Sequence, residues 1–87
     1  MSKPYIDKKI NSSVIREFSD DIDPIELMWH RDEHNREVEI LEGQNWKFQL
    51  DNQLPIELKK GDCIFIPAKE WHRVIKGNTT LKIKIKQ

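Results

Sequence analysis

Three histidines, His30, His34 and His72, are the side chains of this sequence whose chemistry is available near neutral pH. The run Trp29-His30-Arg31-Asp32-Glu33-His34-Asn35-Arg36 sets His30 and Asp32 two residues apart, so an extended chain carries both on one face. His34 joins that face if the extension continues, although the polar run from Asp32 to Asn35 reads as a turn. His72 lies far along the chain and shares parity with Val74, which predicts that it points inward. Two inward histidines from different strands, with carboxylates beside them, form an imidazole–carboxylate set suited to Mn, Fe, Ni, Co or Zn. The candidate metal ligands are therefore His30, Asp32, His34 and His72, with Glu33 added if the turn slips by a residue.

Arg36 has the parity of Val38 and Ile40, whose flanking Glu37 and Glu39 must face water, so it too points inward. A guanidinium has no lone pair to give a metal and needs a partner when buried. Asp32 or an anionic ligand held by a bidentate contact would serve. His30, Arg36 and His72 are thus the candidates for acid–base or substrate-orienting work, with or without a metal. Cys63 is the single cysteine, which excludes an internal disulfide and a cysteine-rich zinc site. Its apolar neighbours predict a small buried side chain rather than a nucleophile. Asp62, after Gly61, reads as a turn residue bonding local backbone.

The elements that must position these residues read as strands. Val14–Phe18, Ile25–Asp32, Arg36–Glu42, Trp46–Leu50, Ile56–Leu58, Cys63–Ile66, Trp71–Lys76 and Leu81–Lys86 are short β-prone runs, separated by turn residues at spacings near ten. Within Ile25–Asp32, alternation puts Leu27 and Trp29 on one face and Met28 and His30 on the other. Cys63-Ile64-Phe65-Ile66 is a continuous apolar run of the kind buried on both faces, stopped by Pro67. Leu81, Ile83 and Ile85 alternate with Lys82, Lys84 and Lys86, giving one wet, lysine-rich face that discourages edge pairing. No amphipathic helix and no internal repeat are visible, and the pattern predicts an all-β sandwich or barrel.

At 87 residues the chain is near the lower limit for a self-sufficient core, which excludes an enzyme with separate cofactor and substrate domains. The net charge is zero, which disfavours a nucleic-acid partner, but the charges are segregated. Residues 17–42 carry ten acidic and two basic side chains, and residues 59–87 carry eight basic and two acidic ones. Such asymmetry can set an acidic first half against a basic second half within one barrel or between subunits. The three tryptophans, Trp29, Trp46 and Trp71, are expected in the core or at a subunit interface. No apolar run approaches the roughly 20 residues of a membrane span, and the first dozen residues lack the apolar stretch of a signal peptide. A soluble, cytoplasmic protein is expected, with no membrane partner.

Gly61, five residues, Pro67, four residues and His72 together resemble the second motif of the cupins, whose histidine ligates a metal. Trp29-His30-x-Asp32 followed by Ile40-Leu41-Glu42-Gly43 resembles a degenerate first motif, which in that family reads His-x-His, three or four residues, Glu, six residues, Gly. The likeness spans roughly residues 25 to 77. It implies a double-stranded β-helix, a small jelly-roll barrel with its site inside the mouth. Asp32 stands in place of the second histidine and Arg36 in place of the glutamate. Lys69 stands where the second motif usually has glycine, which predicts a slightly altered turn.

The expectation is one cupin-like domain over residues 1–87, with an N-terminal arm (1–12) and a barrel (13–87). It would bind a small polar or anionic ligand in the barrel, through a divalent metal on His30 and His72 with Asp32 or His34. The alternative is a metal-free, non-catalytic binding or structural cupin with an Arg36–Asp32 network in the pocket. If it is an enzyme, the classes in view are metal-dependent oxygenase-type and isomerase- or epimerase-type. The resemblance implies a homodimer, and the thin core independently favours one.

Overall fold

A computed structural model describes residues 5–23 and 27–86. Its strands are β1 (Ile6–Ile10), β2 (Ser13–Phe18), β3 (Arg36–Glu42), β4 (Lys47–Leu50), β5 (Ile56–Glu57), β6 (Cys63–Ile66), β7 (His72–Ile75) and β8 (Leu81–Lys86). Every strand pairing is antiparallel, in a five-stranded sheet ordered β1-β2-β8-β3-β6 and a three-stranded sheet ordered β5-β4-β7. Among the described residues no helix is long and apolar enough to cross a membrane. The chain is all-β, as the alternating runs predict.

The core follows from the period-2 pattern. On β8, Leu81, Ile83 and Ile85 are buried against Phe18 of β2 and Val38 and Ile40 of β3, with Phe48 of the opposite sheet in the same core. The alternate lysines face out, and two of them meet glutamates of the strands on either side. Lys82 pairs with Glu17 at 3.7 Å and with Glu42 at 3.4 Å, and Lys86 with Glu37 at 3.4 Å. The segregated charge thus places basic β8 between acidic β3 and the Glu17 side chain of β2, where each exposed pair contributes little but like charges are kept apart.

One end of the barrel is closed by Trp46, which is 0% exposed and donates its indole N–H to the Thr79 carbonyl at 2.6 Å. Its ring meets Phe18 at 6.0 Å. Two glycines make room for this plug. A Cβ on Gly77 would sit 2.6 Å from the Trp46 backbone nitrogen, and one on Gly43, where φ is 151°, would sit 2.8 Å from Leu81 Cδ1.

Several expectations are corrected. Residues 27–32 form no strand and share backbone pairing with β7 only in an isolated bridge, while residues 25 and 26 lie outside the described residues. The polar turn after Asp32 leaves too little chain for a ladder, so alternation breaks: Leu27 is buried, whereas Trp29 and Met28 are exposed. The eighth strand is instead β1, drawn from the stretch read as an arm and closed on β2 by a turn at Asn11, whose φ of 55° asparagine tolerates. β6 is buried on one face only, because only one face of its sheet is covered by the core; Cys63 is exposed and Phe65 is 59% exposed. Trp71 is exposed as well. In the turn before β7, Lys69 takes a left-handed conformation, φ 65°.

Opposite outcomes are expected at two turns, read by urea unfolding. Gly77→Ala costs about 2–3 kcal/mol through the clash with Trp46. Lys69→Gly gains about 0.5–1 kcal/mol, because glycine relieves the left-handed strain at a smaller entropic cost.

Candidate functional site

His30 and His72 form a reciprocal backbone pair, each N–H donating to the other's carbonyl at 2.9 Å. In an antiparallel pair, directly opposed residues project to the same side. The two imidazoles therefore meet on the inner side, with ring centroids 4.2 Å apart in an edge-on arrangement. The neighbours project the other way and form two cross-strand cation–π pairs, Arg73 over Trp29 at 4.9 Å and Arg31 over Trp71 at 5.1 Å.

Each imidazole is oriented by a carbonyl two residues earlier. His72 Nδ1 lies 2.9 Å from the Glu70 carbonyl and His30 Nδ1 lies 3.4 Å from that of Met28. A carbonyl can only accept, so Nδ1 carries the proton and Nε2 keeps its lone pair. Asp32 Oδ2 lies 3.5 Å from His72 Nε2 and 3.5 Å from Arg36 Nε. His72 is 3% exposed, and its pKa is lowered from the usual 6.5, first by burial. The Glu70 hydrogen bond opposes that shift, His30 adds to it, Asp32 opposes it and Arg36 adds to it. His72 is thus neutral at pH 7, the form that ligates metals.

The ligand atoms of His30, Asp32 and His72 all lie within 4.8 Å of one another. This trio opens onto a cavity of about 440 Å³ with predominantly apolar walls, among them Val38, Ile40, Phe48, Val74 and Ile83. Arg36 lines the same cavity. Glu33 and His34 are exposed and lie apart from the trio. The reason is local: Asp32 accepts the Lys69 N–H at 2.7 Å through its carbonyl, and the Asn35 side chain accepts the Ala68 N–H at 2.8 Å. The loop is pinned at both ends and His34 is left at its bend. Asp62 bonds local backbone as expected, accepting the Lys59 N–H at 2.9 Å. The sequence reading passed over Arg16, which lines the cavity from β2; its shared parity with Val14 and Phe18 was the available signal.

The lowered pKa of His72 has a definite consequence for stability. Above pH 6.5 the imidazole is neutral folded or unfolded; below it the unfolded chain binds the proton more readily, so stability falls with pH until the folded pKa is reached. In chelator, the wild type is therefore expected to lose more melting temperature between pH 7.5 and pH 5 than His72→Gln does. Equal losses would show that His72 does not contribute to the acid sensitivity.

The family model for the cupin domain matches residues 22–83. A search of the curated proteins finds no match. Among solved structures, the chain resembles an RmlC-like cupin family protein with a double-stranded β-helix fold from Methanocaldococcus jannaschii (TM-score 0.66, 20% identity, 98% of this chain and 81% of that one). It also resembles a cupin domain from Bordetella pertussis (TM-score 0.60, 18% identity, 99% and 96%). A third likeness is to iron(II) HppE in complex with substrate (TM-score 0.68, 18% identity), where all of this chain covers 55% of that one. At these identities the neighbours share a fold, and the family match over most of the chain carries the assignment. The chain belongs to the cupin domain family.

Proposed function

We propose that His30, Asp32 and His72 hold one divalent metal ion, and that the ion and Arg36 together bind a small polar or anionic molecule in the apolar cavity. The observation that carries this reading is the 3.5 Å approach of two lone-pair-bearing atoms, His72 Nε2 and Asp32 Oδ2, beside a second imidazole with the same tautomer. Two acceptors facing each other in a largely apolar setting repel, and a cation between them turns the repulsion into ligation. Two histidines and one carboxylate leave coordination positions open and are the donor set of non-haem iron oxygenases, which makes oxygenase-type chemistry the reaction class best served. A bound ion would supply Lewis acidity or a redox couple. HppE, which shares the fold, is described with iron(II) and with cobalt(II).

The chain's own residues supply the rest. The Glu70 and Met28 carbonyls hold both rings in the ligating tautomer. The apolar walls favour an apolar body on the ligand, and Arg36 presents its guanidinium to an anionic group next to Asp32. The second reading, a metal-free pocket, is supported by the Arg36–Asp32 pair at 3.5 Å, which already neutralises the carboxylate.

Elemental analysis decides between them. About one equivalent of Mn, Fe, Co, Ni or Zn per chain is expected, falling at least about 100-fold in affinity in His72→Ala and Asp32→Ala, with His34→Ala unchanged. A metal-free protein that gains no melting temperature from any of these ions would overturn the metal reading and leave the Arg36–Asp32 pocket.

We also propose that two copies associate through β6. The opposite edge, β1, is guarded by Asp7, Lys8 and Lys9, whereas β6 carries no charge and lies beside exposed Leu54 (85%) and Ile56 (52%). Sedimentation is expected to give a dimer, and Phe65→Glu a monomer with the same circular dichroism; a monomeric wild type would refute this.

A further inference from the structure

The cavity holds a second guanidinium that the metal site does not use. Arg16 is on β2, opposite Ile83 of β8, which in turn is opposite Ile40 of β3. Arg36 lies four residues before Ile40 on β3, so strand spacing and rise put the two arginine backbones about 16 Å apart. Both line the same cavity, Arg36 at the histidine end and Arg16 beside Tyr5 and Phe18.

The Arg16 side chain is only 17% exposed and is held rigidly. Its guanidinium lies 3.7 Å over the Tyr5 ring, and it donates Nε–H to Asp7 Oδ1 at 2.8 Å and Nη2–H to Asp7 Oδ2 at 3.1 Å. That is a bidentate carboxylate-recognition geometry in which two of the five N–H donors are engaged by the chain's own acid. Asp7 belongs to β1, all of whose residues are exposed, and it does not line the cavity. Arg16 and Arg36 are each paired with one carboxylate, Asp7 and Asp32, and only Asp32 of these two acids lines the cavity, so displacing Asp7 frees a guanidinium inside apolar walls.

We propose that Arg16 is a specificity-determining anion anchor, and that Asp7 is an internal carboxylate which a ligand's charged group displaces from it. The ligand class is an elongated organic acid: an apolar body along the cavity, a negative group on Arg16, and a second polar group toward His30, Asp32 and His72. This rests on the reading that the cavity binds a small molecule, and not on the metal.

The test uses the full chain in chelator and two dyes of one shape, anionic anilinonaphthalene sulfonate and neutral N-phenylnaphthylamine, titrated by fluorescence. Arg16→Gln is expected to weaken the sulfonate about 10- to 100-fold and to leave the neutral dye within about twofold. Asp7→Asn keeps Arg16 and is expected to tighten the sulfonate several-fold without moving the neutral dye, which provides a test should Arg16→Gln fail to fold. If Arg16→Gln weakens both dyes equally, or Asp7→Asn weakens the sulfonate, Arg16 is a hairpin latch and the proposal fails while the cavity reading stands. If neither dye binds the wild type, the cavity reading falls and takes this proposal with it.

Discussion

The site depends on two backbone hydrogen bonds. The 2.9 Å exchange between His30 and His72 is the contact that fastens the irregular segment before β3 to the three-stranded sheet, and it does so at the two residues whose side chains must meet. Because the pair is antiparallel, fixing the backbones fixes the rings on the inner side and Trp29, Arg31, Trp71 and Arg73 on the outer one. The two cation–π pairs brace the bridge from outside, each contributing about 0.5–1 kcal/mol at an exposed site. Two further hydrogen bonds, to Lys69 and Ala68, extend the clamp to Asp32 and Asn35. The side chains of His30, Asp32 and His72 are thereby held across one short seam between residues 30–35 and 68–72.

The seam also explains how the second motif works as a mechanical unit. Gly61, with φ of 93°, turns the chain into β6, and Asp62 ties that turn to Lys59. Pro67 ends the strand, and Lys69 takes the left-handed conformation that sends the chain back as β7 with His72 at its start. The lysine accepts the strain because its N–H bonds the Asp32 carbonyl at 2.7 Å. Arg36 stands where the cupin motif has a glutamate and Asp32 where it has a histidine, so the candidate trio still carries one carboxylate, now with a guanidinium 3.5 Å from it.

Much of this was legible in the residues. Alternation in Leu81–Lys86 and in Arg36–Glu42 placed the core and turned Arg36 inward, because a strand's parity admits one solution once one face is apolar. Parity turned His72 inward and set His30 with Asp32 on one face, and the resemblance to the second motif singled out the same His72. What could not be read is where a ladder stops. Ile25–Asp32 looks like a strand, yet too little of it lies beside β7 to pair beyond one bridge. Ile6–Ile10 looks like an arm, yet it pairs with β2 along its whole length. Cys63 and Phe65 looked buried because a continuous apolar run does not reveal that only one face of its sheet is covered. Arg16 was missed because a charged residue in an apolar face resembles noise until its partner, Asp7, is seen to arrive from a strand that composition did not mark.

The position of β8 bears on how the molecule is made. The last described strand is the middle of the larger sheet, and β2 and β3 are joined only through it. During synthesis at about 5–20 residues per second, β2 emerges roughly 3–13 seconds before the strand it must pair with. Over that interval the β1–β2 hairpin, the acidic loop and β3 have no common partner, and the alternating faces of β2 and β3 stay open to water. Closure of the larger sheet therefore waits for β8, and the histidine bridge can be sealed only after residue 72 has followed His30 out.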